Sequence, residues 1–334
     1  RRRDFTGSGV VKSTVIDKAI PCRKEKRIMS LQFRPIEAED IETLAPFFGQ
    51  RPNKTCDSVF LESFLWRKYY HVRFAISGGK AIQWLMRVNG EEWGAMPMCK
   101  AEDLSHYFYE MVHYFNEELR QPYRISLADE EAVKALNLDS EKYEVREAED
   151  LKDYLYDGEA LRTLSGKKLH KKKNNLNAFK KEYDGRYEYR RLCCSDRYDV
   201  WNFLDQWRET KGQEVEEHLD YEIEGIHEVL KNCSTLSVKM GGIYIDKRLE
   251  AFSMGSYNPF EDMAVVHIEK ANPEIRGLYQ FINQQFLINE FPEVKLINRE
   301  DDMGIEGLRQ AKMTYNPIGF ARKYLVKQRQ AGVI

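Results

Sequence analysis

Residues 267–281 read His-Ile-Glu-Lys-Ala-Asn-Pro-Glu-Ile-Arg-Gly-Leu-Tyr-Gln-Phe. An extended run over 264–269 stops at Pro273, and Gly277 opens a helix expected over 278–290. A helix N-terminus offers unpaired N–H groups and the positive end of a dipole, which suits a pyrophosphate. Arg276, Gly277 and Leu278 are therefore candidate cofactor-binding residues. The rival reading is that Pro273 and Gly277 only punctuate a helix start. His267 and Glu269 alternate on the preceding strand, and either could deprotonate an acceptor amine or hydroxyl.

Working outward, a strand is expected at 187–192, then helices at 200–209 and 223–231. Extended runs at 236–238 and 243–245 are broken by Gly241-Gly242. Asp246-Lys247-Arg248 and Asn258-Pro259 turn the chain into strands at 249–256 and 264–269. After the 278–290 helix come a strand at 294–297, a helix at 305–314 and a last strand at 320–326. The first half is a looser copy. It has helical stripes at 37–48 and 59–70, and a hairpin at 73–76 and 81–88 around Ser77-Gly78-Gly79-Lys80. A helix at 102–119, a strand at 123–127, a helix at 129–136 and a strand at 143–146 complete it.

The order of the second half is that of an N-acetyltransferase-like (GNAT) domain. The expected fold is α+β, with tandem GNAT domains built on mixed, mostly antiparallel sheets flanked by helices. The expected divisions are a basic leader at 1–28, a first domain at 29–150, a basic linker helix at 151–183 and a second domain at 184–330. Acetyltransferases carry Gln/Arg-x-x-Gly-x-Gly/Ala at the 267–281 junction. This chain has Tyr279 where a small residue belongs.

Composition narrows the class. The chain has 334 residues, 42% hydrophobic and 12% aromatic, enough for a large core and against wholesale disorder. The apolar runs fall short of the ~18 residues a membrane span needs. A cytoplasmic protein is expected, with any membrane contact peripheral. Net charge is −2, yet residues 1–28 hold nine Lys/Arg against three acids, so the remainder carries −8. That leader lacks apolar periodicity and is expected to be a mobile basic arm or a non-native extension. The six cysteines form no Cys-x-x-Cys pair and are expected as free thiols. No His/Cys/Asp group has metal-ligand spacing, so no metal and no tightly bound cofactor are expected.

A second stretch, 298–320, reads Asn-Arg-Glu-Asp-Asp-Met-Gly-Ile-Glu-Gly-Leu-Arg-Gln-Ala-Lys-Met-Thr-Tyr-Asn-Pro-Ile-Gly-Phe. It begins where a strand ends, the place open α/β sheets bind ligands. Asn298, Glu300, Asp301 and Asp302 are polar groups at that edge. Arg309 and Lys312, three apart on a helix, face one way and could hold a phosphate or carboxylate. Tyr315 stands where acetyltransferases often carry a general acid for the leaving group. Taken singly, each of these residues could equally be surface charge or core.

A third stretch, 164–179, concentrates Lys167, Lys168, Lys171, Lys172 and Lys173 with no acid among them. These lysines could follow an anionic ligand or an RNA backbone, or form one solvated helix face.

The 298–317 and 164–179 blocks resemble proteins related to the C-terminal domain of phosphatidylglycerol lysyltransferase. The first matches that family's Asn-x-Glu-Asp, Gly, Leu-Arg-x-x-Lys and Pro pattern. The second resembles its Gly-Lys-x-x-x-x-Lys-Arg-Asn segment. The resemblance covers roughly residues 29–330. It implies a tandem acetyltransferase-like fold similar to the Fem peptidyltransferases. Characterised relatives move an aminoacyl group from aminoacyl-tRNA to a lipid hydroxyl. The leading expectation is a transferase of an activated acyl or aminoacyl group, from acyl-CoA or aminoacyl-tRNA, to an amine or hydroxyl. tRNA and a lipid or small-molecule acceptor are the implied partners. The alternative is a non-catalytic module that binds RNA or a protein partner.

Overall fold

The computed structural model describes residues 31–210 and 217–332, and from Leu31 onward the chain is one compact unit. The basic leader expected at 1–28 lies outside the described residues.

The first half runs β1 (Arg34–Pro35), α1 (Ile41–Phe48), α2 (Phe60–Leu65), β2 (Arg73–Ser77), β3 (Ala81–Val88), β4 (Glu91–Gly94) and α3 (Leu104–Glu117). It continues through β5 (Arg124–Asp129), α4 (Glu130–Leu136) and β6 (Tyr143–Glu147). Then follow β7 (Asp153–Asp157), α5 (Gly158–Thr163) and α6 (His170–Glu182). The second half runs β8 (Tyr187–Arg191), α7 (Arg197–Glu209), α8 (Glu217–Lys231), α9 (Cys233–Leu236), β9 (Lys239–Ile245), β10 (Arg248–Asn258) and β11 (Met263–Ala271). It closes with α10 (Leu278–Glu290), β12 (Leu296–Asn298), α11 (Glu306–Met313), β13 (Gly319–Ala321) and β14 (Lys323–Gln328).

These elements make two mixed sheets flanked by helices, the α+β fold the element order implied. The first sheet is ordered β1-β2-β3-β4-β5-β14-β6 and the second β13-β7-β12-β11-β10-β9-β8. Each holds one parallel pair, β4 with β5 and β11 with β12, among antiparallel neighbours.

Two strands depart from the expected division. Residues 153–157, expected within the linker, form β7 between β12 and β13. The last strand, expected as one piece at 320–326, is two: β13 joins the second sheet and β14 crosses back into the first. The physical reason is burial at the junction. Lys323, 1% exposed, turns inward at the break, and its ammonium lies 2.7 Å from Asp153 of β7. The halves also share a core. Phe60, Phe64 and Trp84 of the first pack in one cluster with Phe203, Phe252 and Met254 of the second.

The cysteines differ from expectation as well. Cys56, Cys99 and Cys193 are free thiols, but Cys194 and Cys233 are disulfide-bonded. The chain between them folds as α7 and α8, which returns it to the start of α7. Spacing along the sequence cannot show that return.

The helices follow their apolar spacing. α10 buries Leu278, Phe281, Ile282 and Phe286, one face of the helical period. α6 buries only Leu176 and Phe179 and leaves Lys171 and Lys173 in solvent.

Candidate active site

β12 pairs with β11 only over Met263–Val265, and beyond that point the two parallel strands diverge. The divergence opens a cleft of about 600 Å³. Its floor is β11 and the 299–303 loop after β12, its walls are α10, α11 and α6, and Trp66, Trp207 and Glu222 close its lip.

The 299–303 loop is held in an unusual conformation. Glu300 and Met303 have φ of +57° and +53°, the left-handed region that non-glycine residues rarely occupy. Such conformations persist only where the surroundings impose them. Asn298, fully buried, accepts a hydrogen bond from the Glu300 N–H at 2.7 Å and donates to the Lys54 carbonyl and Asp153. Lys312 donates to the Arg299 carbonyl at 2.6 Å and also to the Asp301 carbonyl. Arg309 holds Asp302 in a two-point pair and also reaches Asp150 at 2.7 Å.

Arg309 and Lys312 therefore do face one way, but what they hold is the protein's own loop. Burial also lowers the pKa of the Lys312 ammonium. In the structure Asn298, Arg309 and Lys312 shape the floor, and Lys312 also lines the cleft.

The helix N-terminus is engaged by the protein itself as well. A Cβ at Gly277 would lie 2.1 Å from the Asn175 carbonyl oxygen of α6, and φ there is +84°. Glycine is required because α6 packs directly onto this turn. Arg276 is exposed and donates to the Asn175 side chain at 3.2 Å, and Leu278 is core. These three residues join α10 to α6.

Glu269 and His267 are in the cleft, and both are engaged. Glu269 accepts from Arg299 at 2.9 Å and from Asn283 at 2.8 Å, so each of its oxygens has a partner. His267 places Nδ1 2.8 Å from Glu300 and 3.0 Å from Glu62, and Nε2 2.8 Å from the Ser256 hydroxyl. Burial would lower the His267 pKa, but the bonds to Glu300 and Glu62 outweigh it and raise it to about 9. Burial and the Glu62 charge push Glu300 well above the ordinary carboxylate range. Against its own burial, Glu62 is held below that range by His267.

Tyr315, 5% exposed, sits deep in the cleft. The Lys172 ammonium lies 4.2 Å from its ring centroid and the Arg299 guanidinium 4.7 Å. Burial raises the pKa of its hydroxyl against the nearby Arg299 charge, so it keeps its proton. Lys172 separates from the rest of the lysine cluster. Lys167, Lys168, Lys171 and Lys173 are exposed, whereas Lys172 turns into the cleft. Burial, and then the Arg299 charge, lower its pKa to about 8.

Sequence reasoning missed Arg299, whose charge organises Glu269 and Tyr315. It also missed Lys270, which pairs with Glu222 of α8 at 2.5 Å beneath the Trp207 ring. Lysine beside glutamate on a largely buried strand was the available signal for Lys270, and Arg299 carried none of its own.

Residues 49–327 match the family described as phosphatidylglycerol lysyltransferase, C-terminal. The chain belongs to that family. A solved protein of unknown function from Bacteroides thetaiotaomicron is 26% identical, with a TM-score of 0.81, over 90% of this chain and all of that one. The structure of L-PGS from Bacillus licheniformis is 15% identical and superposes with a TM-score of 0.64 over 87% of this chain and 92% of that one, a likeness of fold. An uncharacterized protein of Mycoplasmoides gallisepticum is 28% identical over 177 residues, 52% of this chain and 56% of that protein's length. The chain thus matches little more than half of that curated relative. Family and fold together are of the acyltransferase type. Among the described residues, no helix is long and apolar enough to cross a membrane.

Proposed function

We propose that the cleft transfers an activated acyl group, and that the donor is an aminoacyl-tRNA. The observation that carries this reading is Lys172, which reaches from the basic helix α6 to within 4.2 Å of the Tyr315 ring. A phosphate backbone lying along Lys167, Lys168, Lys171 and Lys173 would lead its 3′ end to that point. Against acyl-CoA stands the α10 N-terminus, where the Asn175 carbonyl packs on Gly277.

An acceptor amine or hydroxyl attacks the donor carbonyl directly, forming the new C–N or C–O bond, and the ester bond to the donor breaks. Tyr315 gives its proton to the leaving oxygen and takes one from the attacking group, so no further base is needed. Lys172 holds an anionic group of the donor. Glu269, Arg299, Lys312 and Asn298 keep the floor fixed, so that positioning supplies much of the rate. The family description names a lysyl group and phosphatidylglycerol. For this chain, a lipid hydroxyl at a peripherally contacted membrane is one acceptor to test, and a small-molecule amine is the other.

The test is binding of the full chain to a mixed aminoacyl-tRNA pool and to acetyl-CoA at two salt concentrations. Transfer is then followed with and without phosphatidylglycerol vesicles. Salt-sensitive tRNA binding that Lys172→Met weakens supports the reading, and tight acetyl-CoA binding alone overturns the donor. Tyr315→Phe should cost about 10²-fold in turnover with little change in binding. The internal engagement of Arg309 and Lys312 favours a second reading, a non-catalytic RNA-binding module. It predicts the same tRNA binding with no group transferred.

A further inference from the structure

The junction between the halves carries a cluster that the transfer reaction does not use. The Cys56 thiol and one carboxylate oxygen each of Glu62 and Glu300 lie within 4.8 Å of one another. Nδ1 of His267 is 3.0 Å and 2.8 Å from those two carboxylates. The four side chains come from a turn before α2, from α2 itself, from β11 and from the 299–303 loop. Cys56 and Glu62 belong to the first half, and His267 and Glu300 to the second.

Thiolate and carboxylate are donors that hold zinc-class cations, and three of them leave a fourth tetrahedral position for water. The next layer of contacts orients them. Ser256 engages His267 Nε2 at 2.8 Å, which leaves Nδ1 to hold the Glu62 and Glu300 carboxylates in place. Lys323 donates to Cys56 Sγ at 3.1 Å, the kind of contact that steadies a metal-bound thiolate. The local charge also favours a cation. The carboxylates of Asp57, Asp153 and Asp301 lie within 3.6 Å of Lys323, beside those of Glu62 and Glu300. His267 and Glu300 line the cleft, which gives an ion a path in.

We propose that Cys56, Glu62 and Glu300, with His267 holding the two glutamates, form a binding site for a divalent cation of the zinc class that pins the two halves together. On binding, the metal takes a lone pair from Sγ, from one oxygen of each glutamate and from a water. The protons held by the cluster, including the thiol proton, leave to solvent.

The test uses the full chain, treated with a chelator and titrated with Co²⁺ and then Zn²⁺. One Co²⁺ per chain is expected, with a thiolate-to-cobalt charge-transfer band, displacement by Zn²⁺, and a higher melting temperature with either ion. Cys56→Ser should abolish the band, and Glu300→Gln and Glu62→Gln should each weaken affinity at least tenfold. Absence of saturable binding overturns the site. So does a band that survives Cys56→Ser, since it would come from another thiol such as exposed Cys193. If Cys56→Ser fails to fold, the two glutamine variants decide: affinity unchanged in both overturns the proposal.

Discussion

Each half contains one pair of parallel strands that part company, and the two gaps have opposite fates. In the first sheet, β4 and β5 meet only at Gly94 and Ile125. That gap is filled. The Tyr123 ring presses on Gly94, so closely that a Cβ there would lie 2.7 Å from it. Phe108 and Phe115 of α3 pack beside Tyr123, tilted to it, with ring centroids 5.5 and 4.8 Å away. In the second sheet, β11 and β12 part after Val265, and the gap is lined by His267, Glu269, Lys270 and Arg299. One architecture thus serves stability in one half and leaves a polar cleft in the other. The difference lies in what enters the gap: the Tyr123 ring backed by Phe108 and Phe115 in one half, charged side chains in the other.

The largest effect should come from emptying the filled gap. Tyr123→Ala is expected to cost about 3–5 kcal/mol, the range for large buried aromatics. Urea unfolding would measure it, and tRNA binding of the still-folded fraction should be unchanged. A loss below about 1 kcal/mol would mean that the first gap is not the packed counterpart described.

Next is Arg299→Met, which leaves Glu269 without its cation on the cleft floor. Removing one partner of a buried pair costs about 3 kcal/mol or more. The distinction from Tyr123→Ala is that this variant should also lose ligand binding at temperatures where it remains folded. Equal binding in both variants would erase the functional difference between the gaps.

Gly277→Ala should cost about 1–3 kcal/mol, because the left-handed backbone and the Asn175 carbonyl both oppose a side chain. Thermal melting measures it. A neutral result would show that α6 can withdraw from α10, reopening that helix end to a phosphate.

The smallest effect is a pH dependence from Lys172. Its pKa falls to about 8 in the folded state, from about 10.4 for a free lysine. It is charged below pH 8 and neutral above. Affinity for inorganic pyrophosphate, a minimal anionic probe, should therefore weaken as pH rises through 8. Lys172→Arg should remain flat over that range. The linked effect on stability has the opposite sense. The unfolded chain binds more protons between about pH 8 and 10.4, so this group makes folding more favourable as pH rises across that window. A wild-type affinity that does not change between pH 7 and 9 would remove Lys172 from anion binding.

Much of the fold was legible in the chain itself. Apolar spacing located α3 and α10, Gly78-Gly79 fixed the β2–β3 hairpin, and the order of strands and helices gave two mixed sheets flanked by helices. The 298–317 block pointed to the family. The sequence also brought His267, Glu269, Lys312 and Tyr315 into consideration, and the cleft does contain them.

What the chain could not say concerns partners far apart along it. Nothing local marks 323–328 as a strand of the first sheet. Nothing local shows that Arg309 and Lys312 spend their charges on the loop seven to thirteen residues before them. Lys172 looks like its neighbours in a lysine run, and only the packing of α6 on α10 turns it inward. Cys56, Glu62, His267 and Glu300 have no spacing in common, and Cys194 meets Cys233 only through the return of α8. Secondary structure follows from periodicity and turn chemistry, which are local. A site is made by side chains that burial forces together, and that convergence exists only in the folded chain.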